Sequence, residues 1–484
     1  MSHTDLWVRS RGASNEVLAI LARYAAIVDD PQAFLDSSQQ PLPICLWTNP
    51  LKSTPKALQH YLQGLGVRLE PVNWMPGAFR TDAWSTPGRT LAFTAGWYYV
   101  QEEIAMAAVA ALDPQPGETI LDLCAAPGGK MAQIATRQGE TGCVIANEIH
   151  RDRLPSLSVT VARLGLTSVI TTQADGRSLP LAPHTFDRVL VDAPCSGEGN
   201  LRRRQHPQVW QPTYGARIAT AQKKLLSRAL DLVKPGGTVV YSTCTFAPEE
   251  NEAVLDAVLG DRAWIEPFTI PELRGQPGLT QWQGQSYRQD IVQARRYFPH
   301  FNNTGGFFVA KLRRANTQLC SFSPLVSSQL PPVALVPGNP VDTLRKRFAI
   351  APDVFPTYTC WATGKRRLWL ASGASLSPSQ VRPQSYGIPL ATNTNLGLKP
   401  STAFLQRFGH LIQRNKINLP NEEAASLFLQ GKTQPVKSTA DFGYVHVQFQ
   451  EFELGCGRYT NGQLQSQLPK TLRWLATPLR PKGG

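Results

Sequence analysis

The sequence predicts an α/β protein: a doubly wound parallel sheet, preceded by a small α+β region and followed by a basic, β-rich module. Three observations carry this. Five short β-branched runs, starting at Thr119, Val144, Ser168, Phe186 and Thr238, are separated by stretches of helical periodicity, as strands joined by crossover helices are. The first run opens into a small-residue turn, Cys124-Ala125-Ala126-Pro127-Gly128-Gly129-Lys130, that leads into a helix from Met131 to Gln138. The fourth and fifth runs end in Asp192-Ala193-Pro194-Cys195-Ser196-Gly197 and Tyr241-Ser242-Thr243-Cys244-Thr245, at the carboxyl edge where open α/β sheets bind ligands.

Taken in order, apolar residues recur at helical spacing over Val17–Tyr24 and Pro55–Leu65, while Ile44–Trp47 and Val67–Pro71 read as short strands. Gly96–Glu103 leads into an alanine-rich helix ending at Leu112, so residues 1–112 form the α+β region, expected to bind RNA. Residues 113–314 hold the sheet, with Gly305–Leu312 expected as the strand that closes it. Ser321–Pro340 contains no charged residue and five prolines, which marks 315–340 as a linker. In residues 341–484 the apolar runs Leu368–Ala371, Tyr386–Leu390 and Tyr444–Phe449 point to a compact β module.

A chain of 484 residues accommodates about three domains. Eight irregularly spaced cysteines, no CxxC pair and no amino-terminal apolar signal argue against a secreted disulfide scaffold and a zinc ribbon, so no metal is expected. The expected compartment is the cytoplasm, no run is long enough to span a bilayer, and a monomer is the favoured state. The net charge is +14, and residues from Ala315 onward hold 18 Lys and Arg against 7 Asp and Glu, compared with 31 against 28 before them. A solvated surface accounts for any basic excess. Here it is concentrated and interleaved with aromatics, as in Lys365-Arg366-Arg367-Leu368-Trp369 and Leu472-Arg473-Trp474, which points to a nucleic-acid partner.

The second strand ends in Asn147-Glu148, where a carboxylate suits the two hydroxyls of an adenosine ribose; the third ends in Ala174-Asp175-Gly176, where one can accept from an adenine amino group. Either acid can instead cap a helix. The turn lacks both the GxGxxG spacing and a Walker Lys-Ser pair, which favours a nucleoside without phosphates. S-adenosylmethionine fits that description. A lone cysteine is more often a small buried hydrophobe than a reagent. The polar and small neighbours of Cys195 and Cys244 set them apart from Cys45, Cys143, Cys320, Cys360 and Cys456, which read as inert.

Together, Asp122–Lys130, Asp192–Gly197 and Tyr241–Thr245 resemble the Sun/Nop family of RNA (cytosine-5)-methyltransferases, strongly over Gly96–Leu312, with the basic tail resembling the bacterial 16S rRNA methyltransferase RsmF group and its PUA-like module. The resemblance implies a Rossmann-like methyltransferase sheet in which Cys124, Ala125, Ala126, Pro127, Gly128, Gly129 and Lys130, with Glu148, Asp175 and Asp192, line the S-adenosylmethionine site. It makes Cys244 the nucleophile and Cys195 the residue that assists release. The family's amino-terminal Arg-x-Asn-x-x-Lys run reads Trp47-Thr48-Asn49-Pro50-Leu51-Lys52 here, so Trp47 removes one expected RNA phosphate contact.

The chemistry is consistent with this. Carbon 5 of cytosine is a poor nucleophile, so a thiolate must first add to carbon 6 to make an enamine. Asp192, when protonated or sharing a proton, would hold the ring nitrogen and amino group, and Cys195, through water, would take the carbon-5 proton. The target base must be unpaired or flipped, at roughly a few kcal/mol, and Leu201–Pro207 is placed to grip its backbone. The expected substrate is rRNA, of the 16S kind or as small subunits. Competing readings are tRNA, an inactive ribosome-assembly factor, and a DNA cytosine methyltransferase with its nucleophile at the Pro-Cys pair.

Overall fold

A computed structural model describes residues 14–81, 84–203, 209–316, 340–364, 366–372, 383–395 and 397–474. At its centre a mixed sheet runs in the order Gln276–Pro277, Arg295–Tyr297, Phe307–Arg314, Val233–Thr243, Phe186–Asp192, Thr119–Asp122, Cys143–Asn147, Val169–Thr172, Pro383–Tyr386. The five strands read from the β-branched runs are parallel neighbours. Thr119–Asp122 lies between its successor Cys143–Asn147 and the later strand Phe186–Asp192, so the order reverses beside it. Ligands bind at such a switch point, and Asp122 and Asp192 stand at its carboxyl end.

Buried apolar residues account for the strands. Ile120, Leu121, Val144, Ile145, Val189, Leu190, Val191, Val239 and Val240 are nearly or wholly inaccessible, and the helices Gly129–Gln138, Leu154–Leu164 and Pro212–Leu232 cover the two faces. Phe307–Arg314 pairs antiparallel with Val233–Thr243, as the run from Gly305 suggested, but it does not close the sheet: Arg295–Tyr297 pairs beyond it and Gln276–Pro277 beyond that. The other edge is covered from the carboxyl-terminal third, where Pro383–Tyr386 pairs with Val169–Thr172. A run of period 2 shows that a strand exists, not which sheet it joins.

The amino-terminal region divides between two neighbours. Helices Asn15–Tyr24 and Pro31–Gln39 pack into the core under the cysteine strands. The sheet Glu70–Pro71, Ala78–Thr81, Ile44–Thr48, Tyr98–Val100 shares a second core with the carboxyl-terminal sheet, through Leu58, Trp97, Phe428 and Phe452. Gln406 donates to the Thr94 carbonyl and the Trp474 indole to the Thr94 hydroxyl across this joint. Of the expected linker 315–340, residues 317–339 lie outside the described residues, as do Arg204–Pro207 and Lys365, while Pro340 opens the helix Pro340–Phe348.

The run Trp47–Lys52 faces inward. Asn49 donates to the carbonyls of Gly96 and Leu164, both at 2.9 Å, and the Lys52 ammonium nitrogen lies 3.0 Å from the Ala95 carbonyl and 2.8 Å from that of Arg163. Burial, then Arg407 and Arg163, holds the Lys52 pKa well below its ordinary value. This run therefore staples the amino-terminal sheet to the helix Leu154–Leu164. Trp47 is buried, and its indole donates to Gln101 at 2.9 Å. The position is an internal strut, not a vacated phosphate contact.

Candidate active site

Two loops bring the thiols together. Gly199 donates to the Cys244 carbonyl at 2.9 Å and accepts from Gly306, and a Cβ at Gly199 would lie 2.3 Å from the Gly306 oxygen. Only glycine permits this approach. Ser196 and Thr245 hydroxyls meet at 2.7 Å; the buried Glu198 carboxylate takes Tyr24 at 2.6 Å, Thr245 at 3.2 Å and the Trp210 amide at 2.9 Å; Glu250 takes the Ser196 amide and Gln222, each at 3.0 Å. Below them Arg296 pairs with Glu252 and donates to the Phe246 carbonyl at 2.8 Å, while Phe246 stacks on Phe298. These contacts tie the two loops to each other and to the core beneath them.

On this base the Cys195 and Cys244 sulfurs lie 3.3 Å apart, both partly exposed, and the Asn200 amide donates to the Cys244 sulfur at 3.1 Å. The Cys195 contact and the Asn200 amide hold the Cys244 thiol below its ordinary pKa against the opposing effects of burial and Asp192; the same contact and burial push Cys195 well up. Asn200 breaks the symmetry, since its amide, which also donates to the Gly197 carbonyl at 3.3 Å, reaches the Cys244 sulfur and not that of Cys195. These contacts favour Cys244 over Cys195 as the more acidic thiol of the pair.

Beside it, Lys130 lies 2.7 Å from Asp192, whose other oxygen accepts from Ser242 at 2.9 Å. Burial alone would lower the Lys130 pKa, but Asp192 outweighs it and the net shift is upward. Asp122 is fully buried with Oδ1 lacking a hydrogen-bond partner among the described residues, and burial, reinforced by Asp192, pushes it up to about 7. Burial also raises Cys124 well above its ordinary value.

A cavity of about 770 Å³ opens here, its wall including Tyr99, Gln101 and Asp122. Of the expected residues, Cys124, Ala125, Ala126, Pro127, Gly129, Lys130 and Asp192 line it. Gly128 is packed behind it, where a Cβ would press on Leu157, Met131 and Thr160 at 3.1–3.2 Å, and at Gly129 one would meet Gln101 and Tyr99 at 2.9 Å. Trp47 thus fixes the side chain that borders the turn. Glu148 lies outside the wall, buried, one oxygen accepting from the His150 amide at 2.8 Å and the other 3.2 Å from Arg153 without hydrogen-bond geometry. Asp175, also outside, caps the short helix Gly176–Ser178 and is clasped by Arg177 at 2.6–3.0 Å. The cavity's size, its small-residue turn and the orphaned Asp122 oxygen fit a nucleoside-sized ligand without phosphates.

The sequence reading passed over Asp122, Glu198, Asn200 and Glu250. Their roles depend on contacts between strands distant in sequence, and no local pattern marks them. Arg202 of the expected RNA-gripping loop is an anchor, donating to the carbonyls of Gln40, Pro41 and Thr304 and to Asn303. Arg203 borders the cavity and is exposed.

The model of 16S rRNA methyltransferase RsmB/F matches residues 109–313, that of the N-terminal domain of 16S rRNA methyltransferase RsmF residues 19–103, and that of the methyltransferase RsmF PUA domain residues 414–474. The chain is 38% identical over 294 residues to a 28S rRNA (cytosine-C(5))-methyltransferase of Mus musculus, spanning 59% of this chain but 37% of that protein. It is 31% identical over 460 residues to ribosomal RNA small subunit methyltransferase F of Klebsiella pneumoniae, 91% of this chain and 92% of that one. A crystal structure of a methyltransferase homolog protein from Pyrococcus horikoshii superposes with a TM-score of 0.54 at 30% identity, covering 65% of this chain and 100% of that one. With three models in chain order and a match along nearly its whole length, the chain belongs to the RsmB/F family of 16S rRNA methyltransferases, in its RsmF group.

Proposed function

We propose that this protein methylates carbon 5 of a cytosine in ribosomal RNA, of the small subunit, using S-adenosylmethionine, in the cytoplasm and as a monomer. The observation that carries it is the pair of thiols 3.3 Å apart at the carboxyl ends of adjacent strands, beside the Lys130–Asp192 ion pair. A DNA-type enzyme with its nucleophile at the Pro-Cys pair would have no use for Cys244. An inactive assembly factor would have no use for a polarised thiol pair.

The Cys244 thiolate adds to carbon 6 of the flipped cytosine, and the electron pair displaced onto the ring makes carbon 5 nucleophilic. Asp192 holds the amino edge of the base, with the Lys130 ammonium offsetting its charge. The turn Cys124–Lys130 and Glu148 would hold S-adenosylmethionine, with Asp175 at the adenine end once Arg177 gives way; when bound, it supplies an activated methyl group. The carbon-5 proton then passes through water to solvent, the carbon 5–carbon 6 double bond re-forms as the carbon–sulfur electron pair returns to Cys244, and Cys195 donates its S–H to that leaving thiolate, a role as donor in place of the proton acceptor expected from the sequence.

Small-subunit rRNA is preferred because the Klebsiella relative aligns through the carboxyl-terminal third as well as the catalytic sheet. The test is methyl transfer from labelled S-adenosylmethionine to 16S rRNA, assembled small subunits and tRNA in parallel. Label in 16S rRNA or the subunits supports the reading; label in tRNA alone moves the enzyme to another substrate, and none in any RNA overturns the activity.

A further inference from the structure

We propose that one face of the sheet Thr359–Thr363, Arg367–Ala371, Ile388–Thr394, Gly397–Pro400 is a stacking platform for unpaired RNA bases. It rests on the RNA reading above and lies between the stretches matched as methyltransferase and PUA domain.

Alternation along these antiparallel strands separates two faces. Leu368, Leu370, Ile388 and Ala391 are buried in the core. On the other face Trp361 pairs with Trp369 and Trp369 with Pro389, forming an apolar row; Arg367 pairs with Thr392 and Thr392 with Lys399, forming a basic row beside it. Trp361, Trp369, Pro389 and Lys399 are partly exposed, and Arg367 and Thr392 exposed.

Both indole N–H groups are used within the sheet, Trp361 donating to Thr359 at 2.9 Å and Trp369 to Thr363 at 2.8 Å. Trp361 also stacks on the buried Tyr386, ring centroids 4.8 Å apart and planes 12° off parallel. Both rings are packed against the core beside Tyr386, which fixes them in place, and their exposed part offers π surface that accepts any base and reads no sequence. Arg367 makes no ion pair among the described residues and can take a phosphate. Pro389, Thr392 and Lys399 also line a cavity of about 760 Å³, together with Lys470 and Arg473, so the track continues toward the PUA-type sheet. A cationic row beside an aromatic one supplies both the phosphate contact and the stacking surface that single-stranded RNA uses.

The test uses the full chain and fluorescence anisotropy with a labelled 12-nucleotide single strand and a hairpin duplex of the same composition. Trp369→Ala should weaken single-strand binding about five-fold or more, Trp369→Phe should restore most of it, and neither should alter duplex binding. Arg367→Ala should reduce the slope of log affinity against log salt by about 0.7 for the single strand. Unchanged single-strand affinity in Trp369→Ala overturns the proposal, as does an equal loss for both RNAs. Wild-type methyl transfer, followed in the same preparation, tests the activity separately, because the oligonucleotide measurement requires no turnover.

Discussion

The sulfurs of Cys195 and Cys244 lie 3.3 Å apart across 49 residues of chain, and the Asn200 amide donates to only one of them. A hydrogen bond to a charged group is worth about 1.5–3 kcal/mol, or about one to two pH units. Asn200→Ala should therefore raise the pH midpoint of Cys244 alkylation by at least about one unit, while Cys195 remains slow to react. Iodoacetamide labelling followed by peptide mapping measures it. An unmoved midpoint would mean that Asn200 does not set the polarity of the pair.

Glu148 and Asp175 stand in unequal surroundings. The buried Glu148 has one oxygen outside any hydrogen bond, whereas Asp175 is on the surface and already clasped by Arg177. Glu148→Ala should raise the dissociation constant for S-adenosylmethionine about ten-fold or more, and Asp175→Ala by less, with RNA affinity unchanged in both. Calorimetry separates the two. Equal effects would argue against ranking Glu148 above Asp175.

Asp122 introduces a pH dependence of stability. Its pKa is about 7 in the folded chain and near 3.8 when unfolded, so the folded state holds the extra proton and stability falls as pH rises from about 4 to 7. Glu198, also raised to about 7 by burial, adds a slope of the same sign. Between pH 5 and 8 the Asp122→Asn variant should lose less stability than the wild type, by about 2 kcal/mol. Urea unfolding at the two pH values gives the difference. A steeper slope in the variant would reverse the assignment of the proton.

The carboxyl-terminal third is integral to the body. Pro383–Tyr386 extends the central sheet, and Phe428 and Phe452 share a core with Leu58 and Trp97. A chain ending at residue 316 should melt well below the full protein and lose amide-exchange protection at Val169–Thr172, which becomes an open edge. Retained protection there would show that the edge needs no partner.

The strands, the turn Cys124–Lys130 and both cysteine loops were legible because each is a local pattern of buried runs meeting small or polar residues. The inward role of Trp47–Lys52 was not, because a basic or polar residue reads alike on a surface and against a carbonyl. Nor was Asp122, whose raised pKa comes first from burial and then from Asp192 across the switch point. The pairing of Pro383–Tyr386 with Val169–Thr172 joins residues more than 200 apart in sequence, beyond any periodicity.

The most direct measurement is the covalent adduct with RNA, followed as a denaturation-resistant band for Cys244→Ala and Cys195→Ala. With Cys244 as the nucleophile, Cys244→Ala should form no band and transfer no methyl group. Cys195→Ala should add to the ring and stall before release, so the band accumulates. A band from Cys244→Ala and none from Cys195→Ala would contradict the assignment of the two roles, and full activity in both variants would contradict thiol catalysis itself.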